Sequence, residues 1–173
     1  MQEEVKIPKE RIAILIGEKG STKRKIQTKT HTKIQVNSHE GDVVITGENS
    51  LEVLNAKTII KAIARGFTPK IALKLLNDEL ILEIINIKDF SGKSKKSEER
   101  LKSRIIGTGG KARRTLERMT NTDIRVYGKT VAIIGKQEDV YLAKRGAEII
   151  LNGAPHSNAY IWIKKQLELR EII

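Results

Sequence analysis

The sequence contains no cysteine, and this absence excludes several kinds of site at once. Without thiols there can be no disulfide framework, no Cys-based zinc site and no thiol nucleophile. Aromatic residues make up only 3% of the 173 residues, so stacking on Phe, Tyr or Trp cannot be the main mode of ligand recognition. No apolar run approaches the ~20 residues that a bilayer-spanning helix needs, and the acidic, polar N-terminus has no signal-peptide pattern. These absences predict a cytoplasmic protein with no membrane partner.

Patterns that would support catalysis are incomplete. The stretch SGKS at residues 91–94 ends like a P-loop, but that motif needs a glycine five positions before Gly92, where the sequence has Ile87. The stretch GTGGKA fails in a similar way, because Ala112 stands where a P-loop has Ser or Thr. The histidines are far apart and have no acidic or thiol neighbours at metal-ligand spacing; they are His31, His39 and His156. We therefore predict no catalytic residues, no metal, no cofactor and no enzymatic activity.

Positive charge, in contrast, is abundant. The 33 Lys and Arg residues outnumber the 21 Asp and Glu residues and give a formal net charge of +12, which suits a polyanionic partner. The charge is also clustered, because residues 19–33 and residues 100–114 each contain six Lys or Arg residues and no acidic residue. A basic surface alone could bind nucleic acid without specificity, but this clustering indicates two defined sites.

Each basic cluster includes the same short motif, Ile-Gly-x-x-Gly. The motif is IGEKG at residues 16–20 and IGTGG at residues 106–110. When the sequence is shifted by 90 residues, the two loops superpose, and so do several positions after them. The matching pairs are Arg24 with Arg114, Ile26 with Leu116, Thr30 with Thr120, Thr32 with Thr122, Ile34 with Ile124 and Val36 with Val126. The chain is therefore predicted to contain two copies of one domain.

The first copy has patterns that predict the order β-α-α-β-β-α. Alternating or β-branched residues predict strands at residues 3–7, 33–36 and 43–46. Helices are predicted to begin with Pro8 in a first turn, at Ser21, and at a capping Ser50, the last one ending near Gly66. The apolar positions of that last helix are Leu51, Leu54, Ile59 and Ile63. Their spacing gives the helix its apolar periodicity.

The second copy repeats this order. A strand is predicted at residues 79–87, helices at residues 98–106, 111–119 and 137–151, and a hairpin with a tight turn at Gly128 and Lys129. A short extra helix is predicted between the copies, and a polar, mobile loop at residues 91–99. A final helix carries an apolar stripe of Tyr160, Ile161, Trp162, Ile163 and Leu167. We expect this stripe to pack onto the second copy or between the copies, with partner binding as the alternative.

A glycine-bounded turn between two helices is suited to hold a phosphate. Glycine allows positive φ and leaves no Cβ to block an approaching ligand. The second helix presents unpaired N–H groups and the positive end of its dipole at the same place. One Gly-x-x-Gly is weak evidence, because many helix–helix turns contain two glycines. Its recurrence in both copies, each time followed by β-β-α, makes the signal much more specific.

With these motifs the chain resembles the KH family of single-stranded RNA-binding domains, in the eukaryotic-type (type I) order. The resemblance implies an α+β fold of two tandem KH domains packed together, with a C-terminal helix. In that family the loop clamps about four backbone nucleotides. The bases lie in a groove between the loop-flanking helices and the next strand, here residues 33–36 and 123–127. RNA and single-stranded DNA both remain possible ligands.

The resemblance and the local charge together select candidate RNA-binding residues in each copy. In the second copy they are Gly107, Thr108, Gly109, Gly110, Arg104, Lys111, Arg113 and Arg114, with Arg125 as a candidate for base-edge contact. In the first copy they are Gly17, Glu18, Lys19, Gly20, Lys23 and Arg24. Glu18 places an acid where a phosphate would pass, so the second copy is predicted to bind more tightly. The alternative for the first copy, a scaffold that contacts a protein, stays open.

A closer resemblance covers nearly the whole chain. Together with the two KH units, IARGFTPKIALKLLNDELILEIINI and ILNGAPHSNAYIWIKKQLE look like the archaeal counterpart of the Dim-two, or partner-of-Nob-one, family, which assists small-subunit assembly. The resemblance implies binding near the 3′ end of 16S rRNA, where precursor cleavage occurs. It also implies the Nob-one endonuclease and the α subunit of initiation factor two as partners.

We expect a monomer with KH domains at residues 1–66 and 79–173 and a connecting helix at residues 67–78. The alternative function is an adaptor in translation or RNA degradation. In that case the second KH domain would bind RNA, and the first KH domain and the C-terminal helix would bind proteins.

Overall fold

The computed structural model describes residues 1–172, and its internal contacts divide the chain into two compact units between Asp78 and Glu79. Each unit has a three-stranded antiparallel sheet and three helices in the order β-α-α-β-β-α, followed by one further helix. The second unit also has one short additional helix after its first strand. The predicted α+β class and the predicted order of elements are both confirmed.

The first unit begins its helices slightly differently from the prediction. Its elements are β1 (Gln2–Lys6), α1 (Lys9–Ile16), α2 (Ser21–Thr30), β2 (Lys33–Val36), β3 (Asp42–Thr46), α3 (Ser50–Ala64) and α4 (Pro69–Ala72), with a 3-10 turn at Leu73–Leu76. Pro8 lies just before α1, because its ψ of 140° is extended and not helical. Asn49 caps α3 by accepting a hydrogen bond from the Leu51 N–H at 2.8 Å, and Ser50 is the first helical residue.

The first sheet has β3 in its centre, paired antiparallel with β1 and with β2. Side chains alternate between the faces of a strand, so one face of the sheet is apolar and packs on the helices. The core formed there includes Val5, Leu15, Ile26, Ile34, Val43, Ile45, Ile59, Ile63 and Phe67. Because β2 is an edge strand, its outer backbone groups have no strand partner.

Two of the apolar residues that indicated helix α3 lie on its exposed side. Leu51 and Leu54 are 60% and 52% exposed. The inward face of α3 is instead taken by Val53, Ala56 and Ile60, which are fully buried. A helix of this length has more apolar residues than one inward face can hold, so the two leucines in its first turns remain on the surface.

The second unit differs from the prediction at the start of its loop-preceding helix. Its elements are β4 (Leu80–Asn86), α5 (Lys88–Ser91), α6 (Lys95–Ile106), α7 (Lys111–Thr120), β5 (Asp123–Tyr127), β6 (Thr130–Lys136), α8 (Gln137–Leu151) and α9 (His156–Ile172). The polar loop predicted at residues 91–99 is mostly helix. Ser94 caps α6 by accepting a hydrogen bond from the Ser97 N–H at 3.2 Å. Ser, Lys and Glu suit a capped first turn as well as a loop. Composition alone therefore led to the wrong assignment of this segment as a loop.

The second sheet has β6 in its centre and β5 at one edge. Its core is a single cluster of buried apolar side chains to which every long element of the unit contributes. Ala159 and Ile163 of α9 are fully buried in that cluster, and Trp162 packs against it while remaining partly exposed. The apolar stripe of α9 therefore packs on the second unit, which was one of the two expected positions.

The repeat also includes the helix that follows each domain. Gly66 after α3 and Gly153 after α8 occupy equivalent turns, with φ of 103° and 97°. Ala72 of α4 and Ala159 of α9 come six residues later, and both are fully buried. The short helix α4 is thus the first unit's counterpart of α9, and its contacts assign it to the first unit.

One ion pair is found at equivalent places in both units and joins the third long helix to the first strand. The Lys57 ammonium lies 2.6 Å from a Glu3 carboxylate oxygen, and Lys144 lies 2.8 Å from Glu83. The hydrogen bond and charge of Lys57 hold the pKa of Glu3 below its ordinary value. The hydrogen bond to Glu83 raises the pKa of Lys144, although desolvation opposes it. The repeat therefore extends to charged partners that are distant in sequence.

Candidate nucleic-acid interface

The two Gly-x-x-Gly loops have the same backbone conformation. Gly17 and Gly107 have φ of 74° and 76° with ψ of 173° and 170°, and Gly20 and Gly110 lie in the left-handed region. In each loop the N–H of the fourth residue donates to the carbonyl of the first at 3.1 Å. Helices α2 and α7 begin directly afterwards, so the positive ends of their dipoles lie at the loops. The N–H of the first residue of each helix donates to the carbonyl of the second loop residue.

The first glycine of each loop allows the next helix to approach closely. A Cβ at Gly17 would lie 2.3 Å from the Thr22 hydroxyl oxygen, and a Cβ at Gly107 would lie 2.6 Å from the Ala112 amide nitrogen. No side chain fits in either space. These glycines are therefore required by packing, independently of any ligand.

The third loop residue has different constraints. Lys19 and Gly109 both adopt left-handed conformations, with φ of 52° and 59°, which most side chains avoid. A Cβ at Gly109 would have no heavy atom within 4 Å. Since Lys19 already carries a side chain at the equivalent place, this position tolerates substitution.

The fourth glycine lies beside an arginine that contacts its own loop. Arg24 Nη1 donates to the Lys19 carbonyl at 2.6 Å, and Arg114 Nη1 donates to the Gly109 carbonyl at 2.7 Å. Both arginines were predicted to meet RNA phosphates. In the structure their guanidinium groups are engaged with the backbone of the loop.

In each unit a side-chain oxygen on the helix after the loop accepts a hydrogen bond from the edge strand. The Gln27 side-chain oxygen accepts the Ile34 N–H at 2.8 Å, and Glu117 Oε2 accepts the Ile124 N–H at 2.9 Å. The sequence prediction missed both residues. The available signal was an oxygen acceptor at equivalent positions of the two copies, seven residues before an apolar strand residue.

In the second unit the same carboxylate also binds two of the predicted RNA-contact residues. Glu117 Oε1 lies 2.6 Å from Arg113 Nη1, and Glu117 Oε2 lies 3.2 Å from Arg125 Nη1. Both arginines also donate to the Ile124 carbonyl, at 3.2 Å and 2.8 Å. The structure thus brings Arg113 and Arg125 together at one carboxylate, which offsets part of their charge.

We expect replacement of Glu117 to separate its structural and electrostatic effects. Glu117→Ala should lower the free energy of unfolding of the second unit by about 2 kcal/mol, because the Ile124 N–H and two half-buried guanidinium groups lose an acceptor. Glu117→Gln should cost about half as much, since an amide oxygen can still accept that N–H, as Gln27 does in the first unit. The measurement is urea denaturation followed by fluorescence of Trp162, the single tryptophan of the chain. Equal losses for the two variants would show that the hydrogen bond to Ile124 contributes nothing.

Arg104 has a structural partner away from the loop. Its guanidinium donates to the Ala154 carbonyl in the turn before α9, and its own carbonyl lies 2.8 Å from His156 Nε2. Its Nε is buried and has no hydrogen-bond partner among residues 1–172. Arg11 of the first unit is similar, because its guanidinium donates to the carbonyl of Phe67 in the corresponding turn. The geometry therefore links Arg104 to the start of α9 and not to a phosphate.

This geometry makes Arg104→Ala a stability variant. We expect the free energy of unfolding to fall by about 1–2 kcal/mol as the Ala154 carbonyl loses its charged donor, with RNA affinity unchanged. Lys111→Ala, at an exposed position on the first turn of α7, should show the opposite pattern. Denaturation and RNA titration of both proteins check this. A loss of RNA affinity in Arg104→Ala equal to that in Lys111→Ala, with stability intact, would restore the predicted phosphate contact.

The remaining predicted residues surround the loops. Glu18, Lys19, Thr108 and Lys111 are exposed, and Lys23 is half-buried on α2. Only the first loop carries an acid at its tip, as the sequence indicated. The charge difference between the two loops is therefore present at the surface where a ligand would approach.

Metal binding and membrane insertion find no support in the part of the chain that the structure describes. Among residues 1–172 no three His, Asp or Glu side chains come together as a possible metal site. His31 Nδ1 lies 2.8 Å from a Glu52 carboxylate oxygen, a contact between residues that are 21 positions apart in the sequence. Within the same residues, none of the helices combines the length and apolar character needed to cross a membrane.

Comparison with known families covers both units. A KH-domain model matches residues 2–62. The model of the second KH domain of PNO1, described as a eukaryotic-type (type I) KH domain, matches residues 81–168, just over half of the chain. The chain belongs to the PNO1-type KH-domain family. The tandem KH prediction and the type I order are thereby confirmed.

Individual relatives agree with this membership. The KH domain-containing protein MJ0443 of Methanocaldococcus jannaschii is 43% identical over 94% of this chain and 72% of its own length. The RNA-binding protein pno1 of Drosophila pseudoobscura is 31% identical over 58% of this chain, but that match covers only 43% of the fly protein.

Solved structures that are similar to this chain include archaeal Dim2p. Dim2p of Pyrococcus horikoshii OT3 has a TM-score of 0.88 and 43% identity, covering 95% of this chain and 99% of Dim2p. A second structure from that organism, a complex of a/eIF2α, aDim2p and rRNA, matches with a TM-score of 0.89 and 42% identity. That match covers 96% of this chain and 93% of the compared chain.

Proposed function

We propose that this PNO1-type KH protein binds single-stranded RNA at the 3′ end of 16S rRNA during ribosome assembly and pre-rRNA processing. One observation carries the proposal: each unit presents a preshaped Gly-x-x-Gly loop at a helix N-terminus, beside an edge strand. A helix N-terminus favours a phosphate group, and the net charge of +12 favours a polyanion. The Pyrococcus horikoshii relative that was solved with rRNA supports RNA as the ligand.

Within this proposal the backbone N–H groups of the second and third loop residues hold phosphates, because those of the first and fourth glycines donate hydrogen bonds within the protein. Lys111 supplies charge in the second unit, and Lys19 and Lys23 supply it in the first. Arg125, on the edge strand and half-buried beside Glu117, is positioned for contact with a base edge. The second unit binds more tightly, because the Glu18 carboxylate repels a phosphate at the first loop.

The protein acts in this proposal by binding, without catalysis, as a cytoplasmic monomer. The α subunit of initiation factor two is the proposed protein partner, since the Pyrococcus horikoshii relative was solved in complex with a/eIF2α. The Nob-one endonuclease is proposed from family resemblance alone. Both partners would meet the protein where the 3′ end of the rRNA is processed.

The test is a fluorescence-anisotropy titration at several salt concentrations. The labelled strands are the 3′-terminal 16S rRNA sequence, a scrambled RNA of the same composition, and the matching single-stranded DNA. Preferential binding of the rRNA end is the expected result. Equal binding to all three strands with a steep salt dependence would mean that the net charge alone drives association, and the proposed function would be wrong.

One observation favours the adaptor as a second candidate. Met1, Leu51 and Leu54 are all more than half exposed and line a shallow apolar pocket on the first unit. Such patches commonly mark protein contacts. If the protein is an adaptor, the second KH domain still binds RNA, while the first KH domain binds a protein. Leu51→Ser/Leu54→Ser should then abolish capture of the partner and leave RNA titrations unchanged, whereas unchanged capture would exclude this surface.

A further inference from the structure

We propose that Arg24 and Arg114 are positioning residues that hold the Gly-x-x-Gly loops in their binding shape, and that they do not contact RNA phosphates. The inference rests on the proposed function, because it concerns how those loops bind. The same contact is present in both units, from the guanidinium to the carbonyl of the third loop residue, at 2.6 Å and 2.7 Å. The two loops differ at their second and third residues, so the contact follows from the shared backbone shape.

The loop carbonyl that receives this contact does not accept the regular backbone hydrogen bond of the following helix. In a helix each carbonyl accepts from the N–H four residues later, and the first carbonyl to do so belongs to the N-cap. Gly20 and Gly110 are the N-caps here. The carbonyls of Lys19 and Gly109 belong to the residue before the N-cap, so they lie outside the series of helical hydrogen bonds. Beside a bound phosphate, an unpaired carbonyl dipole would repel the ligand. The arginine both pairs that carbonyl and offsets its partial charge.

The fourth glycine makes room for the guanidinium. A Cβ would lie 3.1 Å from Arg24 Nη1 at Gly20 and 2.8 Å from Arg114 Nη1 at Gly110. Positive φ already favours glycine there, and the guanidinium adds a second reason. The last glycine of the motif and the arginine four residues later therefore act as one unit.

Two alanine variants separate the crowding of the Arg114 guanidinium from the backbone strain of a residue with positive φ. Gly109→Ala and Gly110→Ala both place a Cβ on a residue with positive φ, so both carry similar strain. Only Gly110→Ala crowds Arg114. We expect Gly110→Ala to weaken RNA binding about fivefold more than Gly109→Ala does, the worth of one exposed charged hydrogen bond. With Arg114→Gln as background, that difference should vanish, as a double-mutant cycle requires of coupled residues. A difference that persisted in this background would overturn the proposal.

Salt dependence separates a positioning arginine from a phosphate contact. A lost contact to a single-stranded phosphate should reduce the slope of log K against log salt by about 0.7, and we expect this for Lys111→Gln. Arg114→Gln should lower affinity about fivefold with the slope of wild type. Lys164→Gln, at an exposed position on α9, controls for the loss of one charge at a distance. A slope change in Arg114→Gln equal to that in Lys111→Gln would show a direct phosphate contact.

The free protein provides a test without RNA. In ¹⁵N-labelled full-length protein, Arg114→Gln should shift the amide resonances of Gly109 and Gly110 and speed their hydrogen exchange, with the melting temperature little changed. Unaltered loop resonances would overturn the proposal. If the loop responds but the wild-type protein binds no RNA, the positioning role stands and the proposed function fails.

Discussion

Replacing Thr108 and Gly109 with Asp should reduce the affinity for single-stranded RNA about 100-fold, or roughly 2.7 kcal/mol. The two new carboxylates would lie at the tip of the second loop, where a phosphate approaches the N-terminus of α7. Two like charges at close range near a protein surface repel by about 1 kcal/mol or more each. The effect should diminish in high salt, because both carboxylates are exposed. Anisotropy titration of the double variant against wild type measures the loss.

The same double variant should fold normally. Thr108 is exposed, and a Cβ at Gly109 meets no heavy atom within 4 Å. The left-handed conformation of Gly109 is the one that Lys19 adopts in the first loop, and Asp is among the residues that tolerate it best. The melting temperature should therefore fall by only a few degrees, about what 1 kcal/mol produces. Normal RNA binding by this folded variant would show that the second loop is not the phosphate clamp.

The first loop offers a matched variant. Lys19→Asp converts Gly-Glu-Lys-Gly into Gly-Glu-Asp-Gly, so both loops then carry two adjacent acids. If the second unit binds more tightly, Lys19→Asp should reduce affinity by less than the double variant of the second loop. A larger loss from Lys19→Asp would reverse the proposed order of the two units.

Gly107→Ala should destabilise the second unit by about 3–5 kcal/mol. The φ and ψ of Gly107, 76° and 170°, lie in a region that is essentially restricted to glycine and costs other residues about 1–3 kcal/mol. In addition, the new methyl group would lie 2.6 Å from the Ala112 amide nitrogen and 2.7 Å from its Cβ. Backbone atoms cannot move away as a flexible side chain would, so α7 has to shift. Overpacking of this kind adds about 1–3 kcal/mol.

Gly109→Ala is the control for Gly107→Ala. Two positions away in the same loop, it also has positive φ, but its Cβ meets open space, so it should cost only about 1–2 kcal/mol. Urea denaturation followed by Trp162 fluorescence reports on the second unit, because Trp162 packs edge-on to Tyr141 of α8 at 6.2 Å between ring centroids. If Gly107→Ala and Gly109→Ala lowered the free energy of unfolding equally, the close contact between the new methyl group and Ala112 would be relieved at no energetic cost.

The fold of this protein was largely predictable because its signals are local and occur twice. The Ile-Gly-x-x-Gly loops, the alternating strands and the β-α-α-β-β-α order could all be recognised within windows of a few residues. The errors were local as well. Ser94 caps a helix whose first turn had been assigned to a polar loop, and Asn49, not Ser50, caps α3.

The candidate site was predictable in its position but not in its contacts. Charge clustering and the glycine loops predicted a position for phosphate binding. Thr108, Gly109 and Lys111 lie exposed at the second loop, whereas Arg104 contacts the turn before α9. The sequence did not show which of those residues remain available for contact with RNA. Glu117 engages Arg113 and Arg125, and Gln27 has the corresponding role toward Ile34. The sequence shows these residue types, but it does not show which of them face one another across a groove.

The sequence by itself determined the class of this protein: a basic chain without cysteine, built from two copies of one domain, each with a glycine loop between two helices. Those features depend on composition, on residues that are close together in the sequence, and on the comparison of one half of the chain with the other. Only the tertiary structure decided how individual side chains are used. Arg104 meets Ala154 across 50 residues of sequence, and Gly107 is required by the approach of Ala112. Such contacts arise from the packing of whole elements, because packing brings together atoms that no local pattern relates.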